Sequence, residues 1–306
     1  METVDTLSDV LRVIRLESAV YFRSDFAAPW GMTMDRSPYA QFHLVVRGSC
    51  WMQAEGMSRP RLLSAGDVLV FPFGDPHWLA DDPAHEKRPG REVVAAIRRN
   101  GSPFAGDAPG ATLVCGHFAF DRSVEHPFIE ALPRMMLLER TSRHELTWLE
   151  HAAEVLIHEA GSGRPGSAVV VERLAEVLFI QTLRRHMASA KPPTGFLAAL
   201  QDPRIAAVLR MMHHRPEAAW TLEALAREAG LSRSALATRF RTLVGMTPMT
   251  YLTAWRMLLA RQMLRHSGLP LPAIAERVGY RSEAAFSRAF KRAYGKSPGR
   301  TRRAEA

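Results

Sequence analysis

Two groups of side chains in this sequence are suited to chemistry. The first lies in the last third. Ser234, Thr238 and Arg241 recur at helical spacing after Ser232, and Glu283, Ser287, Arg288 and Lys291 do the same after Ser282. Arginine can bond bidentately to guanine, glutamate can accept from cytosine, and Ser or Thr is less selective. Arg288 and Glu283 are therefore the leading base-reading residues of the second segment. The first segment offers only Ser234, Ala237 and Thr238 at the matching places. Arg233, Arg239, Arg241, Arg281 and Lys291 read as phosphate contacts, which position a protein on a duplex without specifying sequence.

The second group is His43, Asp75, His77, Cys115 and His117. Asp75 and His77 share one strand face, and so do Cys115 and His117, because strand side chains alternate. A Cys, one or two His and a carboxylate form a zinc set. The competing reading is a turn-forming Asp75, a His77 at a barrel mouth and a buried, inert Cys115. No Walker-type loop and no Gly-x-Ser-x-Gly elbow occurs, and Gly161-Ser-Gly-Arg-Pro-Gly166 reads as a break between two helical segments.

The first group is positioned by a repeat. Leu222-Glu-Ala-Leu225-Ala226-Arg-Glu-Ala-Gly230 opens one copy and Leu271-Pro-Ala-Ile274-Ala275-Glu-Arg-Val-Gly279 the other. The copies close as Gly245-Met-Thr247-Pro248 and Gly295-Lys-Ser297-Pro298. Each reads as a helix-turn-helix, over about 220–243 and about 271–293, with Ser232 and Ser282 as N-caps of the second helices. Met249 to Leu264 predicts a connecting helix that holds the two reading helices about one DNA turn apart, roughly 34 Å. A single chain would then read an asymmetric site in double-stranded DNA. Residues 201–306 carry 19 Lys/Arg and 7 Asp/Glu, a net of +12, while residues 1–200 are net −3. Such asymmetry points to a polyanion partner for the C-terminal third alone.

The second group sits in a different kind of sequence. Residues 1 to about 120 hold short runs such as Gln41–Val46, Val68–Phe71 and Ala111–Cys115 between Gly, Pro and Asp turns, which predicts a small antiparallel barrel or sandwich. The segment 81–100 reads as an exposed loop with a short strand at Val93–Ile97. From about 125 to 187 the apolar period becomes helical and predicts a hairpin of two helices, whose stripes over 145–187 could pack on the barrel or form a homodimer. Residues 188–202 read as a linker and 203–306 as the DNA-binding domain, so removing 1–195 is expected to leave a soluble fragment. The adjacent His213 and His214 read as surface.

Hydrophobic content of 47%, charged content of 23% and only two cysteines suit a globular protein in a reducing cytoplasm, at the nucleoid if it binds DNA. No apolar run reaches the length of a membrane span, and no secretory signal pattern opens the chain.

The C-terminal motifs Leu225-Ala-Arg-Glu-Ala-Gly-Leu-Ser-Arg-Ser234, Gly245-Met-Thr-Pro-Met-Thr-Tyr-Leu252, Ile274-Ala-Glu-Arg-Val-Gly-Tyr280 and Phe286-Ser-Arg-Ala-Phe-Lys291 resemble the AraC/XylS family of bacterial transcription regulators. Phe42-His43-Leu-Val-Val-Arg-Gly48, Ala65-Gly66-Asp67, Gly74-Asp75-Pro76-His77 and Val114-Cys115-Gly116 resemble the cupin-type sensor domain of one branch of that family. The resemblance implies an α+β, two-domain chain. A cupin-like β-barrel with a helical hairpin (1–187) would precede an all-α domain of two helix-turn-helix units joined by a linker helix. It also implies sequence-specific promoter binding, usually as an activator working with RNA polymerase, under an unknown effector at the barrel. Base contacts carry over to Ser234, Ala237 and Thr238, and to Glu283, Ala284, Ser287 and Arg288. The alternative is a cupin-type metal-dependent enzyme with a DNA-binding tail. Catalytic cupins carry His-x-His, whereas His43-Leu-Val45 has a single histidine.

Overall fold

The computed structural model describes residues 5–14, 17–99, 126–139, 164–189 and 194–305, with most of 101–120 and part of 151–163. The chain divides into two units. One holds residues 16–120 and 133–191, the other 1–15, 121–132 and 192–306.

Among its described residues the first unit contains ten strands: β1 (Glu17–Ala28), β2 (Gly31–Met34), β3 (Ala40–Arg47), β4 (Ser49–Ala54), β5 (Arg61–Ser64), β6 (Val68–Phe71), β7 (His77–Ala80), β8 (Arg88–Pro89), β9 (Ala108–Ala119) and β10 (Met136–Leu138). They form two five-stranded sheets, ordered β1-β9-β3-β6-β10 and β5-β4-β7-β2-β8. Phe22, Phe26, Met32, Val45, Met52, Leu63, Leu69, Leu79, Leu113 and both cysteines share one core, drawn from strands of the two sheets. The other face of the first sheet is covered by the helix Ser167–Met187, whose Phe179 meets Phe118, itself stacked on Phe42. With both faces of β3 covered, Ala40 to Val45 are all buried, so the strand reads as a continuous apolar run broken by Gln41 and His43. Each fully buried Phe contributes about 1.5–3 kcal/mol.

Two local expectations change here. Gly90–Arg98 is a helix, not a loop with a strand. Val93, Val94 and Ile97 lie at i, i+1 and i+4, and all three pack on the barrel core. Of the expected hairpin, the second helix is Ser167–Met187, while most of 140–163 lies outside the described residues.

The second unit is helical. The helices Leu222–Glu228 and Arg233–Val244 make the first helix-turn-helix, Leu271–Arg277 and Glu283–Tyr294 the second, and Pro248–His266 connects them. Ser232 Oγ accepts from the Ala235 N–H at 3.2 Å and Ser282 Oγ from the Ala285 N–H at 3.3 Å, as the sequence predicts. Leu236 and Phe240 of one reading helix, and Phe286 and Phe290 of the other, are fully buried. Gly279 turns between the second pair with φ +79°; a Cβ there would lie 2.8 Å from the Glu217 carbonyl oxygen. That carbonyl belongs to a loop fastened by Arg256, whose Nε and Nη2 donate to the Pro216 and Ala218 carbonyls.

Further pieces of this unit among the described residues are Thr6–Ile14, the short turn Pro127–Glu130, the pair Gly195–Gln201 and Pro203–His214, and Pro298–Glu305. The expected linker 188–202 thus contains a helix with Phe196, Leu197 and Ala199 buried, and two stretches inside the expected 1–187 domain count with the DNA-binding helices. No helix among the described residues is long and apolar enough to cross a membrane.

Candidate nucleic-acid interface and barrel cluster

On the two reading helices, the residues opposite the buried stripe face outward. Ser234, Thr238, Arg241, Arg281, Glu283, Arg288 and Lys291 are exposed, and Ser287 is half-buried. Among the described residues, Arg241, Arg281, Arg288 and Lys291 have no hydrogen-bond or ion-pair partner, so four cations stand free for a polyanion. Glu283 sits in the first turn of its helix, where the exposed N–H groups favour a carboxylate. Ser282 Oγ is occupied as the cap.

The remaining arginines divide by partner. Arg233 donates to Glu223 at 2.6 Å, with both side chains more than 60% exposed. Such a pair is worth about 0–1 kcal/mol, so Arg233 can exchange Glu223 for a phosphate. Arg239, expected at a phosphate, instead holds Asp202 through Nε at 2.7 Å and through Nη2. Asp202 also caps Pro203–His214 through the Arg204 and Ile205 N–H groups. Burial raises the Asp202 carboxyl, but the Arg239 and backbone hydrogen bonds outweigh it and leave the pKa lowered. Arg239 therefore fixes the first reading helix to the start of Pro203–His214.

In the barrel the register sets Gln41 opposite His117, His43 opposite Cys115 and Val45 opposite Leu113. By alternation these six share the interior face. The interior is apolar around Val45 and Leu113 and turns polar toward Gln41 and His117, where His77 also points inward.

Three of the five candidate ligands meet in a hydrogen-bonded row. His77 Nδ1 lies 2.8 Å from the Asp75 backbone oxygen, which can only accept, so Nδ1 carries the proton. His77 Nε2 is then the acceptor, and His43 Nε2–H donates to it at 2.7 Å. That leaves His43 Nδ1 to accept from the Cys115 thiol at 2.9 Å. Burial keeps every member neutral. It lowers His77 to about 4 against the opposing pull of Asp75, lowers His43 with help from His77, and raises Cys115.

This arrangement does not fit a metal ion. Zinc needs donors converging at about 2.0–2.3 Å on one point, whereas His43 turns one nitrogen to Cys115 and the other to His77. The Asp75 carboxylate is engaged by Arg36 at 2.8 Å and Arg134 at 2.9 Å. His117 is half-buried against the Tyr39 ring. Among the described residues no group of three or more His, Cys, Asp or Glu could hold a metal. The expected five-residue zinc set is therefore not assembled. Two acceptors at this end, Gln41 Oε1 and Asp75 Oδ2, are buried without a partner among the described residues.

Sequence reasoning missed His213. It is buried, not surface, and its ring stacks on Trp255 with centroids 3.7 Å apart and an interplanar angle of 3°. The available signal was Val208, Leu209 and Met212 on the same helix, which place position 213 beside the apolar stripe.

Known proteins match along the whole chain. A family described as Cupin matches residues 5–188, and one described as a helix-turn-helix domain matches 225–304. A protein of Streptomyces lividans named as an AraC-like transcription regulator is 33% identical over 297 residues, covering 97% of each chain. The RCS-specific HTH-type transcriptional activator RclR of Escherichia coli is 34% identical over 267 residues, covering 84% of this chain and 90% of its own. Among solved structures, the DNA-binding domain of AdpA in complex with a target DNA is 35% identical over 34% of this chain and 92% of its own, with a TM-score of 0.32.

Proposed function

Because this chain belongs to the AraC-like family of transcription regulators, we propose that it binds promoter DNA sequence-specifically through both helix-turn-helix units. The observation that carries this reading is the pair of outward faces, with Arg241, Arg281, Arg288 and Lys291 exposed and unpartnered among the described residues. Glu283, Ser287 and Arg288 read bases in the second unit, Ser234 and Thr238 in the first, and the other cations neutralise phosphates. The phosphate term gives affinity that falls with salt; the base-edge term gives preference.

The effector is a small molecule at the polar end of the barrel. Support comes from the two buried acceptors there, Gln41 Oε1 and Asp75 Oδ2. An unmet buried acceptor costs about 1–3 kcal/mol, which a donor-bearing ligand would recover. Activation would proceed through contact with RNA polymerase. The enzyme alternative finds no support, since the matching relatives are transcription regulators.

The test is selection from a random duplex pool with the full-length protein, followed by affinity measurement at fixed salt. The selected duplex is expected to bind about 10³-fold or more tighter than random duplex. A ratio near one would leave a nonspecific DNA-coating protein.

A further inference from the structure

A row of buried polar groups runs through the helical unit, away from both reading helices' outward faces. The Phe128 N–H donates to His126 Nδ1 at 3.1 Å, so His126 carries its proton on Nε2. His126 Nε2 lies 3.2 Å from Tyr251 Oη, and Tyr251 Oη lies 2.7 Å from His213 Nε2. The proton order follows: His126 donates to Tyr251, and Tyr251 donates to His213. His213 then keeps its proton on Nδ1, which faces Asp9 Oδ2 at 3.5 Å, an electrostatic contact longer than an ordinary hydrogen bond. Burial agrees with these states, lowering both histidines, His126 to about 3, and raising the Tyr251 hydroxyl.

The row joins four elements. Tyr251 is on Pro248–His266, the helix that connects the two helix-turn-helix units, and Trp255, under the His213 ring, is one turn further along it. His213 lies in the last turn of Pro203–His214. Asp9 and His126, however, come from residues 5–188, the stretch that matches the Cupin family. Two pieces of that stretch therefore sit in the core of the DNA-binding unit. The aromatic surroundings are shared as well: Phe196 packs against His126, Phe128 and Tyr251, and Tyr251 touches Phe240 of the first reading helix.

A row with one proton order is demanding. If a member moves out of hydrogen-bond reach, a buried donor or acceptor loses its partner. The connecting helix is thus held at a defined rotation by groups that read no base.

We infer that Asp9 and His126 are positioning residues for DNA reading, acting on the connecting helix through His213 and Tyr251. This rests on the regulator reading above. The test uses the full-length chain with Tyr251→Phe, which removes both hydrogen bonds and keeps the ring, and Asp9→Ala, at the row's solvent-facing end. Each is measured by fluorescence anisotropy on a duplex selected by the wild type and on a scrambled duplex of equal length, with circular dichroism alongside. Tyr251→Phe should weaken the selected duplex about tenfold, the worth of roughly 1.4 kcal/mol. Binding to the scrambled duplex should change less than about twofold, because the phosphate-contacting cations are untouched. Asp9→Ala should move the same ratio in the same direction, and it decides alone if Tyr251→Phe does not fold. Inserting one base pair between the two halves of the selected duplex should cost the variants less than the wild type. Unchanged selected-duplex affinity, or equal losses on both duplexes, would overturn the inference and leave the row a core contact. A wild type that prefers no duplex would instead overturn the regulator reading, and the inference with it.

Discussion

Acid should loosen the barrel before neutral pH is far behind, and His77 sets the size of the effect. Burial holds its pKa at about 4 in the folded chain, against 6.5 for the free side chain. Below pH 6.5 the unfolded chain takes up this proton and the folded chain does not. Stability from His77 is therefore flat above about pH 7 and falls as pH drops from 6.5 toward 4. Linkage puts the loss between pH 7 and pH 5 at about 2 kcal/mol for this group alone. His43 is lowered by the same burial and pushes in the same direction. The control is His77→Phe, which can keep the stack on Phe71, now at 3.9 Å between centroids and 17°. It leaves the His43 Nε2–H without an acceptor, a loss of about 1–3 kcal/mol that does not depend on pH over this range. Native-state hydrogen exchange on peptides covering β3 and β9, at several urea concentrations, follows this unit separately from the helical one. The wild type should lose about 2 kcal/mol more than His77→Phe on going from pH 7 to pH 5. Parallel losses, within about 0.5 kcal/mol, would mean that His77 titrates normally and that the neutral proton order assigned to Cys115, His43 and His77 is wrong.

Other outcomes follow from the same geometry. Arg288→Ala should cost about 1–3 kcal/mol on the selected duplex and relax preference at one base position. Arg241→Ala should weaken all duplexes alike and reduce the salt slope by about one unit; equal behaviour of the two variants would refute the division of roles. Arg239→Ala should lower the melting temperature and leave the salt slope unchanged, since its charge is taken by Asp202; a slope reduced by one would return it to the phosphates. Val170 and Val177 are 39% and 40% exposed on one face of Ser167–Met187, and the Asp double variant at these positions should halve the sedimentation mass if this face pairs two copies. Metal analysis of the purified protein should find well under one zinc per chain, because the donors do not converge; stoichiometric zinc lost in Cys115→Ser would refute that.

Much of the DNA-reading half was legible because its signals are local. Caps at Ser232 and Ser282, the glycine turns and the i, i+4 pairs Leu236/Phe240 and Phe286/Phe290 each depend on a few neighbouring residues. The barrel strands were legible for the same reason. What the sequence concealed was long-range pairing. Arg239 looks like any exposed arginine until Asp202, 37 positions away, is seen against it. Histidine is ambiguous by nature: His43, His77 and Cys115 have the residue types of a metal site and the geometry of a proton-ordered row, and only the orientation of the His43 ring separates the two. Val93–Ile97 shows the remaining difficulty, since a short apolar run satisfies strand and helix patterns alike until its packing surface is known.

The partition of the chain bears on how regulators of this kind can be recombined. Its helical unit is written in three separate passages, residues 1–15, 121–132 and 192–306. A hybrid spliced at 188–202 would transplant the third passage alone and replace the bearers of Asp9 and His126 with foreign sequence. Such a hybrid inherits every base-reading side chain and loses the residues that set the pitch between its two readers. Parts exchange would keep the full preference for the selected duplex only when all three passages travel together, so the chain behaves as interwoven text and not as a cassette with a detachable end.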